Sequence, residues 1–379
     1  MKQIINFLLS LTWLACCLPV LQSCAGSKSD NKGTVKQISL AELVKNDVDT
    51  IGFGIDKTEL IPLETSSECL IDMVRKIIPY KDDYYIQTSS SVFKFSGDGK
   101  FITNFSCRGN AAGEYLMLDN FCILRDSLYI FDSNKEKIIA FDLSGNFIRE
   151  INDALDTKFM IGIEPLTSET ALIANGINFD DQKNLYAVWN PDDPKRLIPI
   201  MTTDLTSKGN YSFSNHAMTN SGNGILFFKP FGDEIYEYDP REDKVATVFK
   251  IDGIGYATDN TKDYSELLGL ALGSGSELIL NLFDTERYLI INLYKGSIIL
   301  DKTDERGCLL ESNYHTPSDG IVPFYPLLAS QASGDQIISV RPASDLINID
   351  DSNPESAKYI ERLNLTMDSN PVIVKYTMR

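Results

Sequence analysis

The apolar and polar positions of this chain alternate over short distances, as they do in β-strands. Runs rich in Ile, Phe, Tyr and Val are separated by Gly, Asp, Asn and Ser. Helical periodicity is scarce, because only residues 40–45 and the longer segment 264–272 show it. The pattern predicts an all-β chain, whose clearest strand segments are residues 84–86, 92–95, 128–131, 138–141, 225–228, 235–238, 288–291 and 337–340.

Two hairpin segments repeat one another. Residues 95–102 read Phe-Ser-Gly-Asp-Gly-Lys-Phe-Ile and residues 141–148 read Phe-Asp-Leu-Ser-Gly-Asn-Phe-Ile, which places Gly99 and Gly145 46 residues apart. Both glycines fall at hairpin tips, where the backbone needs a positive φ. Units of about 40–50 residues with this strand content are the size of propeller blades, and the chain divides into about six or seven of them. The alternative is that the two hairpins belong to a β-sandwich.

Five segments in order resemble the six-bladed β-propeller lipoproteins of anaerobic gut Gram-negative bacteria, which are related to NHL-type repeats. The most specific segment is Arg-Gly-Asn-Ala-Ala-Gly-Glu-Tyr at 108–115, which is similar to their R-G-x-x-x-G-E-Y link between the first two blades. It departs from the family at 111–112, where Gly or Pro is usual. The other similar segments are residues 60–71, 227–236, 319–326 and 370–374.

The resemblance implies one six-bladed β-propeller of four-stranded antiparallel blades over residues 37–379. A propeller whose ends do not join leaves two free sheet edges. Residues 58–63 and 372–376 are both β-rich, so we expect them to complete one blade together. The family implies this fold and a place in the cell envelope, and it implies no particular chemistry.

The N-terminus has the features of a lipoprotein signal. A short basic head precedes the apolar run 4–20, which is short for a membrane-spanning helix. Leu-Gln-Ser-Cys at 21–24 resembles the bacterial lipobox, in which the cysteine is diacylated before cleavage. The sequence therefore predicts a signal peptide at 1–23, lipid on Cys24 and a flexible tether at 24–36, in an outer-membrane lipoprotein that faces the periplasm or the cell surface. The alternative is an ordinary secretory signal with an incidental cysteine.

The net charge and the numbers of histidines and cysteines limit which partners and metal sites the chain could have. The formal net charge of −18 disfavours nucleic acid, since an acidic body repels phosphate. His216 and His315 are the only two histidines and no C-x-x-C spacing occurs, which argues against a zinc site. Four cysteines remain beyond the signal and Cys24, namely Cys69, Cys107, Cys122 and Cys308. We expect most of them to be buried single thiols, and the alternative is that two of them form a disulfide.

Two loops hold the candidate ligand-binding residues. Arg108, Glu114 and Tyr115 could grip an anionic or sugar ligand at the mouth of the central funnel, and the alternative is an Arg–Glu pair that fixes the crossover between blades. Phe324 and Tyr325 lie between two prolines in a stiff loop that could stack on a sugar or peptide, or plug the space between blades.

These observations favour a binding or scaffold module that presents a propeller face to a glycan, a peptide or an envelope protein, with no catalysis, cofactor or metal. Acidic pairs at 82–83, 180–181, 192–193 and 350–351 read as surface turns rather than metal ligands. No nucleophile motif accompanies the histidines. The alternative is a metal-dependent propeller enzyme of the lactonase or lyase type, which would need a cluster of carboxylates on the channel axis.

Overall fold

The computed structural model describes residues 35–105, 108–152, 159–178, 183–258, 261–304, 306–311, 314–349 and 354–379. The predicted signal peptide, Cys24, most of the predicted tether, Cys107 and the acidic pairs at 180–181 and 350–351 lie outside these ranges.

The strands form six sheets of at least four strands each, arranged as the blades of a β-propeller, and the predicted fold is confirmed. Blades 1 to 3 consist of β3 (Lys76–Tyr80), β4 (Asp83–Gln87), β5 (Val92–Ser96), β6 (Phe101–Asn104); β7 (Asn120–Leu124), β8 (Ser127–Asp132), β9 (Lys137–Asp142), β10 (Phe147–Asn152); and β11 (Met160–Pro165), β12 (Ala171–Asn175), β13 (Asn184–Trp189), β14 (Leu197–Thr202). Blades 4 to 6 consist of β15 (Met218–Asn220), β16 (Ile225–Phe228), β17 (Glu234–Asp239), β18 (Lys244–Asp252); β19 (Ile279–Asp284), β20 (Tyr288–Leu293), β21 (Ser297–Asp301), β22 (Gly307–Leu310); and β23 (Ala329–Ser333), β24 (Gln336–Arg341), β25 (Val372–Met378), β2 (Ile55–Pro62).

The hydrophobic core lies in layers between neighbouring blades. One cluster joins blades 1 and 2, another joins blades 2 and 3, and similar clusters follow around the ring to the contact of blade 6 with blade 1. A blade in the ring buries both faces, so its inner strands read as continuous apolar runs, as in β8. The outermost strands, such as β10, are largely exposed.

Blade 6 closes the ring with strands from both ends of the described chain. Strand β2 pairs with β25 in antiparallel register from Ile55 opposite Met378 to Pro62 opposite Val372. Strand β25 also pairs with β24 on its other side. The two segments that the sequence suggested would share a blade are therefore hydrogen-bonded neighbours.

The hairpin tips confirm the role expected for the two repeated glycines. Gly99 has φ +84° and Gly145 has φ +91°, in the region that favours glycine. A Cβ at Gly99 would lie 2.2 Å from the carbonyl oxygen of Pro62, whereas a Cβ at Gly145 would meet nothing closer than 3.4 Å. The first hairpin is thus packed against the closing strand β2, and the second is open.

Helices occupy connections between strands. Helix α1 (Leu40–Leu43) and helix α2 (Tyr264–Ser274) lie where the sequence predicts helical turns. Helix α3 (Ala343–Ile347), helix α4 (Pro354–Arg362) and a short 3-10 helix at Pro326–Leu328 were not predicted. Within the described residues, no helix combines the length and apolar character needed to cross a membrane.

A strand near the N-terminus adds an unpredicted fifth member to blade 4. Strand β1 (Lys36–Ser39) pairs in parallel with the outer strand β18. From there the chain follows the outside of the ring, and the side chain of Asn46 donates a hydrogen bond to the carbonyl of Gly307 in blade 5 at 2.9 Å. Tyr288 donates to the carbonyl of Gly52, so this segment binds blades 4 and 5 before β2 enters blade 6.

Three of the four cysteines expected in the folded body are described, and all three are buried free thiols. Burial raises the pKa of Cys122 and of Cys308 to about 12, so neither is a thiolate at neutral pH. Cys69 donates to the carbonyl of Glu64. These thiols are part of the core.

The two faces of the ring differ in their connections. We define the entry face as the one at which the innermost strand of each blade begins, and the exit face as the opposite one. Turns between first and second strands and between third and fourth strands lie on the exit face and are short. Among the connections between β2 and β25, the long ones are on the entry face, at residues 63–75, 105–119, 203–217, 253–278, 311–328 and 342–371.

Candidate functional site

The innermost strands β3, β7, β11, β15, β19 and β23 surround a central channel with a cavity at each end. The cavity at the entry-face end, the entry mouth, has a volume of about 580 Å³, and the exit cavity about 750 Å³. Glu164 and Gln331 border both cavities. The entry mouth is bounded by residues 73–76, 119–120, 161–162, 214–218 and 327–331 together with Gln87, Glu164, Ser212 and Val340.

Lys76 forms the floor of the entry mouth. Its Nζ donates to the carbonyl oxygens of Ile163 at 2.6 Å and Phe121 at 3.3 Å, and to Oδ1 of Asn120 at 3.2 Å. The carboxylate of Glu164 lies 3.6 Å away. One ammonium group from blade 1 is therefore held by blades 2 and 3, and it is a structural cation rather than a free one.

His216 presents a neutral imidazole to the same mouth. Its ring lies 5.0 Å from the ring of Phe283, and its backbone N–H donates to Oγ of Ser214 and Oδ1 of Asn281. Burial, together with the smaller effect of the positive charge of Lys76, lowers the pKa of His216 to about 4. A neutral imidazole offers one donor and one acceptor to a bound group.

Gln87 and Asp119, two further polar residues of the mouth, are held by backbone contacts. The amide of Gln87 donates to the carbonyls of Leu118 and Asp119. Burial raises the pKa of the Asp119 carboxyl, and the hydrogen bond from the backbone N–H of Ser133 opposes that rise. Arg75 is exposed at the edge. The floor therefore offers preset hydrogen-bonding groups of both kinds.

Strongly exposed large apolar side chains concentrate on the entry face. Of the 17 among the described residues, 12 lie in entry-face connections and none lies in an exit-face turn. We call Met73, Leu327 and Leu328 the apolar rim, because they border the entry mouth while being 63%, 38% and 45% exposed. The other members of this set are Leu70, Leu116, Met117, Leu270, Leu272, Tyr294, Tyr314, Ile347 and Met367.

The exit cavity has a different character. Lys302 donates to both carboxylate oxygens of Asp284 at 2.8 Å, and to the carbonyl of Thr285. Burial raises the pKa of Asp284 to about 6, although Lys302 pulls it down. Lys302 and Asp284 therefore bind each other, and the described turns around them lack the strongly exposed large apolar side chains of the entry face.

Within the ranges that the structure describes, no three side chains of the His, Cys, Asp and Glu types converge in a way that could hold a metal ion. The axial carboxylate cluster required by the metal-dependent enzyme alternative is thus not present among those residues.

The structure places the loop at 108–115 on the entry face but outside the entry mouth. Tyr115 is 1% exposed, and its hydroxyl donates to the carbonyls of Ser90 and Phe105. Oε2 of Glu114 accepts from the backbone N–H of Ala111 at 2.7 Å, while Arg108 is exposed. Glu114 and Tyr115 therefore hold the crossover between blades 1 and 2, and of the three predicted residues only Arg108 is exposed.

The aromatic loop divides in the same way. Phe324 is fully buried against the ring of Tyr376 at 5.0 Å, so it fills the space between blades 5 and 6. Tyr325 is partly exposed beside Tyr314 and the guanidinium of Arg341. The sequence did not predict that Lys76 and His216 meet at the channel or that Arg341 lies beside the aromatic loop, because each comes from a different blade and no local motif unites them.

Comparison with known proteins supports this architecture. A family model described as Domain of unknown function (DUF4934) matches residues 35–377. No curated protein matches the sequence. Among solved structures, the chain is similar to a protein of Bacteroides fragilis that is described as exported, with a TM-score of 0.69 and 16% identity over 91% of this chain and 100% of that chain. Together with the six blades, these matches confirm the resemblance to a propeller family of gut bacteria.

Two further structures are more distant. A member of the DUF4221 family from Bacteroides vulgatus has a TM-score of 0.49 and 9% identity over 86% of this chain and 97% of that chain. Virginiamycin B lyase from Staphylococcus aureus has a TM-score of 0.43 and 10% identity over 85% of this chain and 99% of that chain. At this distance neither carries an argument about function.

Proposed function

The chain belongs to the family described as Domain of unknown function (DUF4934), and from this premise we propose that it is a cell-envelope binding module that docks a partner protein on its entry face. The apolar rim around the entry mouth carries this proposal. Exposed clusters of large apolar side chains are characteristic of interaction sites, since water is released when a partner covers them.

The side-chain types at the rim favour a protein over a glycan as the partner. Met73, Leu327 and Leu328 are aliphatic and flexible, and such side chains adapt to apolar side chains of a partner. Sugars are more often held on exposed Tyr, Trp or Phe rings, and none of these side chains is among the described residues that bound the entry mouth.

The polar floor provides specificity within the apolar rim. His216, Gln87 and Asp119 are fixed by the contacts described above, so their remaining hydrogen-bonding positions are preset. A partner segment that enters the mouth would place its polar groups against this floor while its apolar groups cover the rim. A pocket with mainly apolar walls and a few fixed polar groups is the usual composition of a ligand-binding site.

The location that we propose is the outer membrane, with lipid on Cys24 and the propeller facing the periplasm or the cell surface. Two observations support it: the lipobox-like Leu-Gln-Ser-Cys at 21–24, and the fold likeness to a protein that is described as exported. Radiolabelled palmitate should be incorporated into the expressed protein and not into its Cys24→Ser variant. Equal incorporation into both would refute the lipid attachment.

The docking proposal is tested by selecting peptides from a random library against protein lacking residues 1–24. We expect selected peptides to lose at least about tenfold in affinity, or ~1.4 kcal/mol, when Leu328 in the rim is changed to Lys. The matched control is Ile198→Lys, at a side chain of similar exposure on the outer strand β14. Affinities are measured by isothermal titration calorimetry.

Peptides whose affinity falls in the Ile198→Lys protein and not in the Leu328→Lys protein would contradict the proposal. So would a library that returns no binder dependent on the rim. A glycan array that gives rim-dependent binding instead would assign the face to carbohydrate.

A further inference from the structure

Arg341 is a buried cation at the entry-face end of β24, outside the entry mouth. Its side chain is 10% exposed. It lies on the same side of β24 as Ile337, which packs in the cluster between blades 5 and 6. The guanidinium therefore sits at the top of the cleft between these two blades, beside the aromatic loop.

Within the described part of the chain, the guanidinium of Arg341 has no hydrogen-bond acceptor. It carries five N–H donors, and no described residue accepts a hydrogen bond from it. Nε is enclosed and has no hydrogen-bond partner among the residues that the structure describes. Of the carboxylates described, that of Asp345 is 3.6 Å from Nη2, beyond hydrogen-bond distance. A desolvated guanidinium with empty donor positions is normally completed by an anion or by water.

Two tyrosines continue outward from this cation. The guanidinium lies 5.2 Å from the centre of the Tyr325 ring, which fixes its plane by a cation–π contact. The ring of Tyr314 follows at 5.7 Å from that of Tyr325, tilted by 39°. Tyr314 is 46% exposed, so the row ends in an aromatic side chain that is partly accessible to solvent.

We propose that Arg341, Tyr325 and Tyr314 form a subsite for an acidic sugar, a pyranose that carries a carboxylate. The two Nη groups of Arg341 present the planar fork that pairs end-on with a carboxylate. The exposed ring of Tyr314 offers the apolar face on which the C–H groups of a pyranose stack. The subsite lies beside the docking surface, and it stands independently of the partner that covers the rim.

Asp345 acts in this arrangement as an internal competitor. It is 46% exposed on α3, and its carboxylate is the only one that the structure places near the guanidinium among the residues described. A ligand carboxylate entering the same position would meet the negative charge of Asp345. Removal of that charge should therefore strengthen anion binding, whereas a purely structural Arg341 would gain no ligand from it.

The experiment is a titration of protein lacking residues 1–24 with glucuronate, followed by NMR line broadening of the sugar at constant ionic strength. Glucose serves as the sugar without a carboxylate, and acetate as the carboxylate without a ring. We expect glucuronate to bind more tightly than either. Binding should weaken at least about tenfold in Arg341→Gln and become severalfold tighter in Asp345→Asn.

The Tyr314→Leu variant separates the aromatic half of the subsite from its cationic half. Tyr314 and Asp345 are both well exposed, so we expect variants at either position to fold. The Tyr314→Leu change should weaken glucuronate binding and leave acetate binding unchanged. Equal affinities for glucuronate and acetate would overturn the aromatic part of the proposal. Failure of glucuronate to bind the Asp345→Asn protein would overturn the whole.

Discussion

Lys76 illustrates how a single buried cation joins three blades at the channel floor. Its replacement by Met leaves Glu164 and three acceptor oxygens without their donor. Removing one member of such a pair costs about 2–4 kcal/mol of unfolding free energy. Urea unfolding measures this loss. The matched control is Lys81→Met, whose pair with Asp126 is exposed on both sides and should make no measurable difference. Equal effects of the two changes would show that the contacts of Lys76 with blades 2 and 3 do not stabilise the fold.

His216 predicts a pH dependence of stability. Its native pKa of about 4 lies below the ordinary value of 6.5, so the unfolded chain binds a proton between these values that the native state does not. The contribution of His216 to the free energy of unfolding is therefore constant above pH 6.5. It falls by about 2–3 kcal/mol as the pH decreases to 4.5. The difference in unfolding free energy between wild type and His216→Gln should change with pH in that window and be constant above it. A constant difference down to pH 4.5 would show that the imidazole titrates normally.

Local sequence identified which side chains could bind but not which way they face. Tyr115 and Phe324 read as ligand contacts because aromatics in Gly- and Pro-rich loops often are. In the fold, the hydroxyl of Tyr115 is hydrogen-bonded to two backbone carbonyls, and the ring of Phe324 packs against Tyr376. Both side chains therefore point into the protein and not towards a ligand. Arg341 could not be identified from the sequence, since nothing in its neighbours along the chain shows that Tyr325 stacks on it.

The hairpins between third and fourth strands show what a repeated element does and does not reveal. The repeat correctly located Gly99 and Gly145 at positive φ, because a hairpin turn is a local structure. It could not show that Gly99 touches the closing strand β2, since that contact depends on the ring. Strand β1 was missed for the same reason: four residues without alternation become a strand only beside the edge of β18.

This difference between the two glycines is measurable. Gly145→Ala should cost about 1–2 kcal/mol of unfolding free energy for the left-handed backbone alone. Gly99→Ala has the same backbone strain and also drives its Cβ to 2.2 Å from the carbonyl of Pro62, so it should cost at least about 2 kcal/mol more. Chemical denaturation of the two variants gives the comparison. Equal losses would mean that the contact with β2 is not important for stability.

At the scale of the whole molecule, stability depends on ring closure. Strand β25 lies between β2 and β24, so removing residues 371–379 takes out the centre of blade 6 and leaves β2 without a partner. The truncated protein should melt at a much lower temperature, or without a cooperative transition. Differential scanning calorimetry decides this, and an unchanged melting temperature would contradict closure by β2 and β25.

The number of blades could be predicted because the repeat and the family resemblance both act along the sequence. The channel could not, because each of its walls comes from a different blade and its charges pair across blades. The unequal distribution of exposed apolar side chains between the two faces is also a property of the assembled ring: Met73 and Leu328 are 255 positions apart in the chain and border one mouth.

Binding of a partner on the entry face can be measured by hydrogen–deuterium exchange of the protein with and without a peptide selected from the library. We expect slower exchange in residues 63–75, 212–217 and 326–331 around the entry mouth, and no change in the exit-face turns. Slower exchange confined to the exit-face turns, or to the outer strands, would contradict it.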